Sequence, residues 1–376
     1  MNSSADILKQ AIDDKGLSWP QFAHQCGMSY GQLLSWLMRT YLPDPQMVQK
    51  VARAANLDET DMLRRVDEDK RALFMSAIDI VSRIGLADIH TIRQIPGGRN
   101  FVFMVNEKWV LKVACDELDG SQQLLRDQAI YKLLASHQEI PAAKLVGTGR
   151  EPAPWLVIYK VEGMSLGHIW KNMAHKHRCD VCFQVGQLMA RLHDLPCEEL
   201  RGNQHIPFYT SKTWGKLVAE GIWETVRLLR QSARYSESQI RELKRYIVNH
   251  ESLLDFDFHP DLLFCEHYDM HVCFARCHSG YSIAGMFDFG SVIVSEPGWD
   301  FVYANCSFLH QSPDYIVNFR KGYETILAFP TLSLERLTLY TIWADQGIEV
   351  WHSDREAFDT SMSLVDKAQK YWRHWL

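Results

Sequence analysis

The stretch that decides the reading is His259-Pro260-Asp261-Leu262-Leu263-Phe264-Cys265-Glu266, followed downstream by Asp288-Phe289-Gly290. One carboxylate opens an apolar run, and the other precedes a Phe-Gly pair. Chemistry on phosphate groups needs such a division of labour: one carboxylate takes the proton of a hydroxyl, and another holds a divalent cation against phosphate oxygens. Asp261 suits the first role and Asp288 the second.

Upstream the pattern turns to strands. Ile95-Pro96-Gly97-Gly98-Arg99-Asn100 is a turn between two strand-like runs, the second being Phe101-Val102-Phe103-Met104-Val105. A glycine-containing turn of this kind lets backbone N–H groups approach phosphate closely. Trp109-Val110-Leu111-Lys112-Val113-Ala114 then places a lysine inside an apolar strand. A buried lysine needs an anionic partner, which phosphates or a helix carboxylate would supply; the plainer reading is a lysine at a strand edge. The helical stretch 121–136 offers Asp127 as that carboxylate, with Glu117 or Asp119 as substitutes. Pro154 to Gly163 reads as a buried strand running into a turn, and Gln184 to His193 as a helix.

The first sixty-odd residues read as short helices. Ser18 with Gln21, and Ser29 with Gln32, have the spacing of capping boxes, and Cys26-Gly27-Met28 between them is a tight turn. Leu33 and Trp36 follow at helical spacing. Helices are expected around Pro45–Ala55 and Glu59–Val66. Asp67 to Arg71 then reads as a charged boundary, and Ala72 to Ile84 as a linking helix ended by Gly85.

The 376 residues suffice for two or three domains, and a net charge of -6 gives no global signal for nucleic acid or anionic membrane. No apolar run is long enough to span a bilayer, and the N-terminus lacks the regions of a signal peptide. Nine scattered cysteines read as reduced thiols in a cytoplasm. Two sets contain ligand types that zinc accepts: His175, His177, Cys179 and Cys182; and Cys265, His267, His271, Cys273, Cys277 and His278. Packing of small thiols on a helix explains the first, and strand alternation in a hairpin disperses the second.

Residues 16–57 resemble the Cro and lambda-repressor-like DNA-binding family through Ser18, Phe22, Ala23, Gly27, Met28, Ser29, Leu33, Trp36, Pro43 and Val51-Ala52. The resemblance implies a helix-turn-helix whose second helix enters the major groove, with Tyr30, Gln32, Ser35 and Arg39 facing DNA. Acidic and basic residues nearly balance up to Asp67, so phosphate attraction is weak; the bundle would bind DNA weakly, need dimerisation to a homodimer, or serve only for protein contacts.

From Ile89 onward the chain resembles the aminoglycoside phosphotransferase and choline kinase-like superfamily. The matching elements are Gly97-Gly98-Arg99-Asn100, Lys112, Tyr159 to Leu166, Ala190-Arg191-Leu192-His193, His259-Pro260-Asp261-Leu262, Asp288-Phe289-Gly290 and Glu296-Pro297-Gly298-Trp299-Asp300. This implies an ATP- and Mg²⁺-dependent kinase acting on a small-molecule hydroxyl. Asp261 would be the base and His259 would help fix its loop. Asp288 would be the metal ligand, Lys112 paired with Asp127 would face the phosphates, and backbone at Tyr159 and Val161 would face adenine. Asp300 would anchor the catalytic loop. Glu266 stands where the family usually has Asn for the second metal, and as a hard oxygen ligand it is a second metal candidate.

The expected fold is α+β: a small all-α helix-turn-helix bundle (1–67), a helical linker (68–88), a kinase-like N-lobe and hinge (89–163), and a C-lobe with a helical substrate-side insertion (164–376). Two other readings share these residues. One is a nucleotide- or ligand-sensing transcription regulator with an impaired kinase-like domain. The other is a protein kinase of a toxin–antitoxin-like or stress circuit. On the acceptor side, Tyr340, Trp343, Asp345, Glu349 and Trp351 suit either a cationic amine or an ordinary aromatic core.

Overall fold

The computed structural model describes residues 3–38, 41–86, 88–95, 99–115, 120–151, 153–231, 235–266, 268–352 and 363–375, with backbone alone over 345–352. The chain divides into two compact units. Met1–Ser136 with Ala143–Lys160 form the first, and His137–Ala142 with Val161–Leu376 the second.

The first unit opens with α1 (Ser4–Asp14), α2 (Trp19–Cys26), α3 (Tyr30–Leu37) and α4 (Pro45–Ala55). Ser18 and Ser29 both close capping boxes with the side chains of Gln21 and Gln32. Gly27 ends α2 at φ 59°, a left-handed conformation that a side chain resists. Phe22, Ala23, Leu33, Trp36, Val48, Val51 and Ala52 form the bundle core.

α5 (Glu59–Arg83) is a single helix of 25 residues. The break expected at Asp67–Arg71 is absent. Those charges lie on a helix whose exposed side is laced by ion pairs such as Arg64 with Asp61 and Glu68, so a polar run there marks a solvated face. The two ends of α5 bury against different partners. Met62 and Val66 belong to the bundle core. Ala77, Ile80 and Val81 pack with Phe103, Val105, Leu111, Val113 and Val157 of a sheet.

That sheet contains β1 (Ile92–Ile95), β2 (Asn100–Val105), β3 (Trp109–Ala114), β4 (Leu145–Gly149) and β5 (Trp155–Tyr159), in the order β1-β2-β3-β5-β4, all antiparallel. α6 (Gly120–Leu134) follows β3 in the chain. The segment after α3 touches the sheet directly: the Cys115 thiol donates to Met38 O (3.3 Å) and Leu42 N–H to Gln94 Oε1 (3.4 Å).

The second unit begins with β6 (Met164–Ser165), α7 (Leu166–Trp170) and α8 (His175–His193). α8 starts nine residues before the expected Gln184, because its polar first turns hid the apolar period. α9 (Ser211–Gln231) and α10 (Glu237–His250) follow, then β7 (Asp261–Leu263), α11 (Tyr268–His271), β8 (Val272–Cys277), β9 (Gly280–Met286) and β10 (Ile293–Ser295). The chain closes with α12 (Gly298–Ser307), α13 (Pro313–Glu324), α14 (Leu334–His352) and α15 (Leu364–Trp372). β7 pairs with β10, and β8 lies between β6 and β9. α8 and α13 approach backbone to backbone. A Cβ on Gly186 would lie 2.0 Å from Phe319 O, and one on Gly322 2.0 Å from Phe183 O, so both positions exclude any larger residue. This contact sets His193, the last residue of α8, beside Tyr323 of α13.

Candidate active site

In the first unit, β3 carries Lys112 inward and α6 brings Asp127 to it. Nζ and Oδ2 are 2.8 Å apart, and the two side chains are 6% and 2% exposed. The apolar environment of β3 makes an unpaired ammonium there untenable; losing one partner of such a buried pair costs about 3–5 kcal/mol. Asn100 opens β2, and its Oδ1 is buried with no hydrogen-bond partner among the described residues. Arg99 is exposed. Gly97 and Gly98 lie outside the described residues, as do Glu117 and Asp119. At the end of β5 two amide donors are already engaged. The N–H of Tyr159 is spent on Lys144 O (2.8 Å) and that of Lys160 on Lys108 O (2.9 Å). The Tyr159 amide is therefore no base-binding donor, and its ring is 41% exposed. Val161 is half-buried.

In the second unit, Asp261 begins β7 opposite Ser295. Its side chain is 16% exposed, and His259, 88% exposed, donates from Nδ1 to its Oδ1 at 3.1 Å. Burial raises the Asp261 pKa, while the positive fields of His193 and His259 hold it back. The balance is a carboxylate of enhanced basicity beside an exposed imidazole donor.

The chain after β7 is tied to Asp300 at the start of α12. Asp300 is fully buried. It accepts the N–H of Phe264 (2.9 Å), the N–H of Cys265 (2.7 Å) and the hydroxyl of Tyr268 (2.9 Å). His193 Nε2 lies 3.3 Å from the same carboxylate, with Nδ1 2.9 Å from Tyr323 Oη. These bonds hold Cys265 at φ 53°, where a non-glycine residue is strained by about 1–2 kcal/mol. Asp288 is held in the same region at φ 70°. Two strained backbone positions thus flank the residues between the carboxylates.

Glu266 and Asp288 converge on one imidazole. His271 Nε2 lies 3.7 Å from Glu266 Oε2, and its Nδ1 4.0 Å from Asp288 Oδ2. Ser291 Oγ donates to Glu266 Oε1. Sequence reasoning weighed His271 only as a zinc ligand and passed over Ser291; His271 ends α11 five residues after Glu266, but its approach to Asp288 and that of Ser291 to Glu266 are made only by the fold. Both carboxylates are hard oxygen donors of the type a divalent cation takes, but the His271 ring stands between them, and among the described residues no three His, Cys, Asp or Glu side chains meet to hold a metal.

The two cysteine and histidine strings do not converge. His175 pairs with Asp314 at 3.0 Å and has Cys179 nearby, while Cys182, a turn further along α8, is fully buried. Among the described residues no three such side chains meet in a way that could hold a metal; His267 lies outside them. All nine cysteines are free thiols. No helix among the described residues is long and apolar enough to cross a membrane.

In the bundle, Tyr30 and Ser35 are half-buried and Gln32 exposed on α3. Gln32 Oε1 is occupied by the Ser29 N–H at 3.0 Å, so this side chain, expected to face DNA, serves first as a helix cap. Arg39 lies outside the described residues. Tyr340 is fully buried and receives the Trp214 indole N–H at 3.0 Å. Trp343 stacks 4.5 Å from Trp299. Tyr340 is core and Trp343 is half-buried, which favours the ordinary aromatic core for these two rings. The side chains of Asp345, Glu349 and Trp351 lie outside the described residues.

A five-stranded antiparallel sheet with a buried lysine–carboxylate pair, and a second unit with anchored aspartates, define a kinase-like phosphotransferase. The chain belongs to the phosphotransferase enzyme family, whose model matches residues 91–333. No curated protein matches it in sequence. Among solved structures it is similar to the GDP complex of an aminoglycoside 2'-phosphotransferase (TM-score 0.60, 17% identity, 79% of this chain and 98% of that one). It is also similar to a GDP and kanamycin complex of an APH(2") enzyme (0.60, 16%, 79% and 98%), and to a macrolide 2'-phosphotransferase from Brachybacterium faecium (0.52, 15%, 78% and 96%). At these identities the likeness is one of fold.

Proposed function

We propose that the protein transfers the terminal phosphoryl group of ATP or GTP to a hydroxyl of a small molecule, with Asp261 as the base. The observation that carries this is the Asp261 carboxylate itself, half-desolvated on a strand end whose continuation is knotted to Asp300. Asp261 Oδ takes the acceptor proton as the new O–P bond forms and the bond to the nucleoside diphosphate breaks. His259 steadies that carboxylate. Lys112, held by Asp127, faces the phosphates, with Gly97, Gly98, Arg99 and Asn100 contributing backbone and side-chain donors. Asp288 and Glu266 would hold Mg²⁺, which supplies positive charge against the phosphate oxygens. The neighbours bind GDP, and one also kanamycin, which supports a nucleotide donor and a small-molecule acceptor over a protein one. Nine free thiols suit a reducing, cytoplasmic setting.

The test is turnover of radiolabelled ATP and GTP against aminoglycoside and macrolide panels over a Mg²⁺ series. Glu266→Gln is expected to raise the Mg²⁺ concentration for half-maximal rate by roughly tenfold, in the range of one altered ligand-shell contact. An unchanged Mg²⁺ dependence would remove Glu266 from the metal site.

The bundle is read as a helix-turn-helix that binds DNA, supported by the two capped helices and the Gly27 turn. With Gln32 committed to its cap, Tyr30, Ser35 and Arg39 remain as contacts, and a homodimer would double them. Arg39→Ala should weaken a salt-sensitive shift of the DNA upstream of its own gene; no shift by the unaltered protein at low salt would end this reading.

A further inference from the structure

The segment that leads into Asp261 is gripped from two sides. Phe258 N–H donates to Ser211 Oγ at the start of α9 (3.3 Å). On the other side Arg336 of α14, just past the family match, sets its guanidinium carbon 3.8 Å from the centre of the Phe256 ring. The Arg336 side chain is 12% exposed and that of Glu296 3%, with Nη2 3.7 Å from Glu296 Oε1. Nη2 also donates to Thr331 O at 3.4 Å. Among the described residues Arg336 Nε and Glu296 Oε2 have no hydrogen-bond partner. Glu296 directly follows Ser295, the ladder partner of Asp261.

One buried guanidinium therefore touches both the chain entering β7 and the chain leaving β10. A loosely paired buried arginine and carboxylate add less to stability than apolar side chains of the same volume would. Stability does not account for the pair, but position does. A planar guanidinium over an aromatic face fixes both distance and tilt. Placing a reacting group about 1 Å wrong can lower a rate by roughly 10²-fold. Burial also pushes the Glu296 carboxyl up, with Arg336 first, then the Tyr340 hydroxyl, the Gly298 N–H and His193, opposing.

We propose that Arg336 is a positioning residue for phosphoryl transfer, clamping Phe256 and Glu296 so that Asp261 is presented in one orientation. The proposal rests on the reading of Asp261 as the base. It is tested with Arg336→Ala, Phe256→Leu, the double variant Arg336→Ala/Glu296→Gln, and Asp261→Asn as reference. The measurements are MgATP turnover with water as acceptor, thermal melting, and deuterium exchange over 255–260. Arg336→Ala should lower kcat by roughly 10²-fold with KM for ATP within about twofold, the signature of an interaction lost from the transition state rather than from nucleotide binding. Phe256→Leu should reproduce this, and exchange should rise locally over 255–260. The double variant should recover the melting temperature but not kcat. If it recovers both, Arg336 serves only the fold and the proposal is overturned. It is also overturned if Arg336→Ala turns over like the unaltered protein and leaves exchange unchanged, while Asp261→Asn is inactive. Full turnover by Asp261→Asn would instead remove the base assignment, and this proposal with it.

Discussion

Asp261→Asn should abolish transfer, by roughly 10²–10⁴-fold in kcat, and at the same time make the protein harder to melt. The first effect follows from losing the proton acceptor while keeping its shape. The second follows from burial, which raises the Asp261 pKa above the ordinary carboxylate value. The folded protein then holds that proton more tightly than the unfolded chain does. At pH below the ordinary value both states are protonated and there is no penalty. As pH rises from the ordinary value to the raised one, the unfolded chain ionises first, and folding loses stability across that window. Above it the loss is constant. The neutral amide escapes the loss, so at neutral pH the variant should melt higher by roughly 1–3 °C. Activity should fall as pH drops through the raised pKa, since only the carboxylate accepts a proton. Calorimetry of both proteins at pH 5 and 8, beside initial rates, checks this. A variant that melts lower at neutral pH would contradict the burial argument, and one that retains its rate would contradict the role.

A chain cut to begin at Ile89, near the start of the family match, should fail to fold. The cut removes Ala77, Ile80 and Val81 of α5, fully buried against the sheet with Phe103, Val105, Leu111 and Val157. Burial of a Val or Ile side chain is worth about 1.5–3 kcal/mol, so these contacts together amount to much of a net stability of roughly 5–15 kcal/mol. They also leave an apolar sheet face open to aggregation. A chain beginning at Asp69 keeps those residues and should retain the sheet. Size-exclusion chromatography and circular dichroism melts of both constructions distinguish them. A soluble Ile89 chain melting within a few degrees of full length would show that α5 is dispensable to the sheet.

The sequence was most legible where the signal is local. Two serines with glutamines three residues on foretold where α2 and α3 begin, because a cap is satisfied within one turn. Lys112 was readable as a buried ammonium in search of a carboxylate, and a helix following β3 had few acids to offer, so Asp127 could be picked out. α5 was misread as two pieces because its apolar residues serve two different cores, so no single face runs along its length. His271, Ser291 and Arg336 stayed hidden for another reason. His271 stands five residues from Glu266 but meets Asp288 only through the fold, and Ser291 and Arg336 reach their partners across loops of the second unit. An imidazole, a hydroxyl or a guanidinium reads the same in sequence whether it is solvated or enclosed.

The unbroken run of α5 has a consequence for how this chain can change. Each residue of an α-helix turns it by about 100° and advances it about 1.5 Å. Val66 in the bundle and Ala77 on the sheet are therefore set at a fixed rotational phase. The same phase delivers Met38 to the Cys115 thiol and Leu42 to Gln94. One residue inserted between 66 and 77 would swing the bundle about a quarter turn and part these contacts, whereas substitutions on the solvated stripe would leave them in place. The junction is open to point mutation and closed to insertion, unlike a tether: the two halves are geared together, and their spacing is inherited as a whole number.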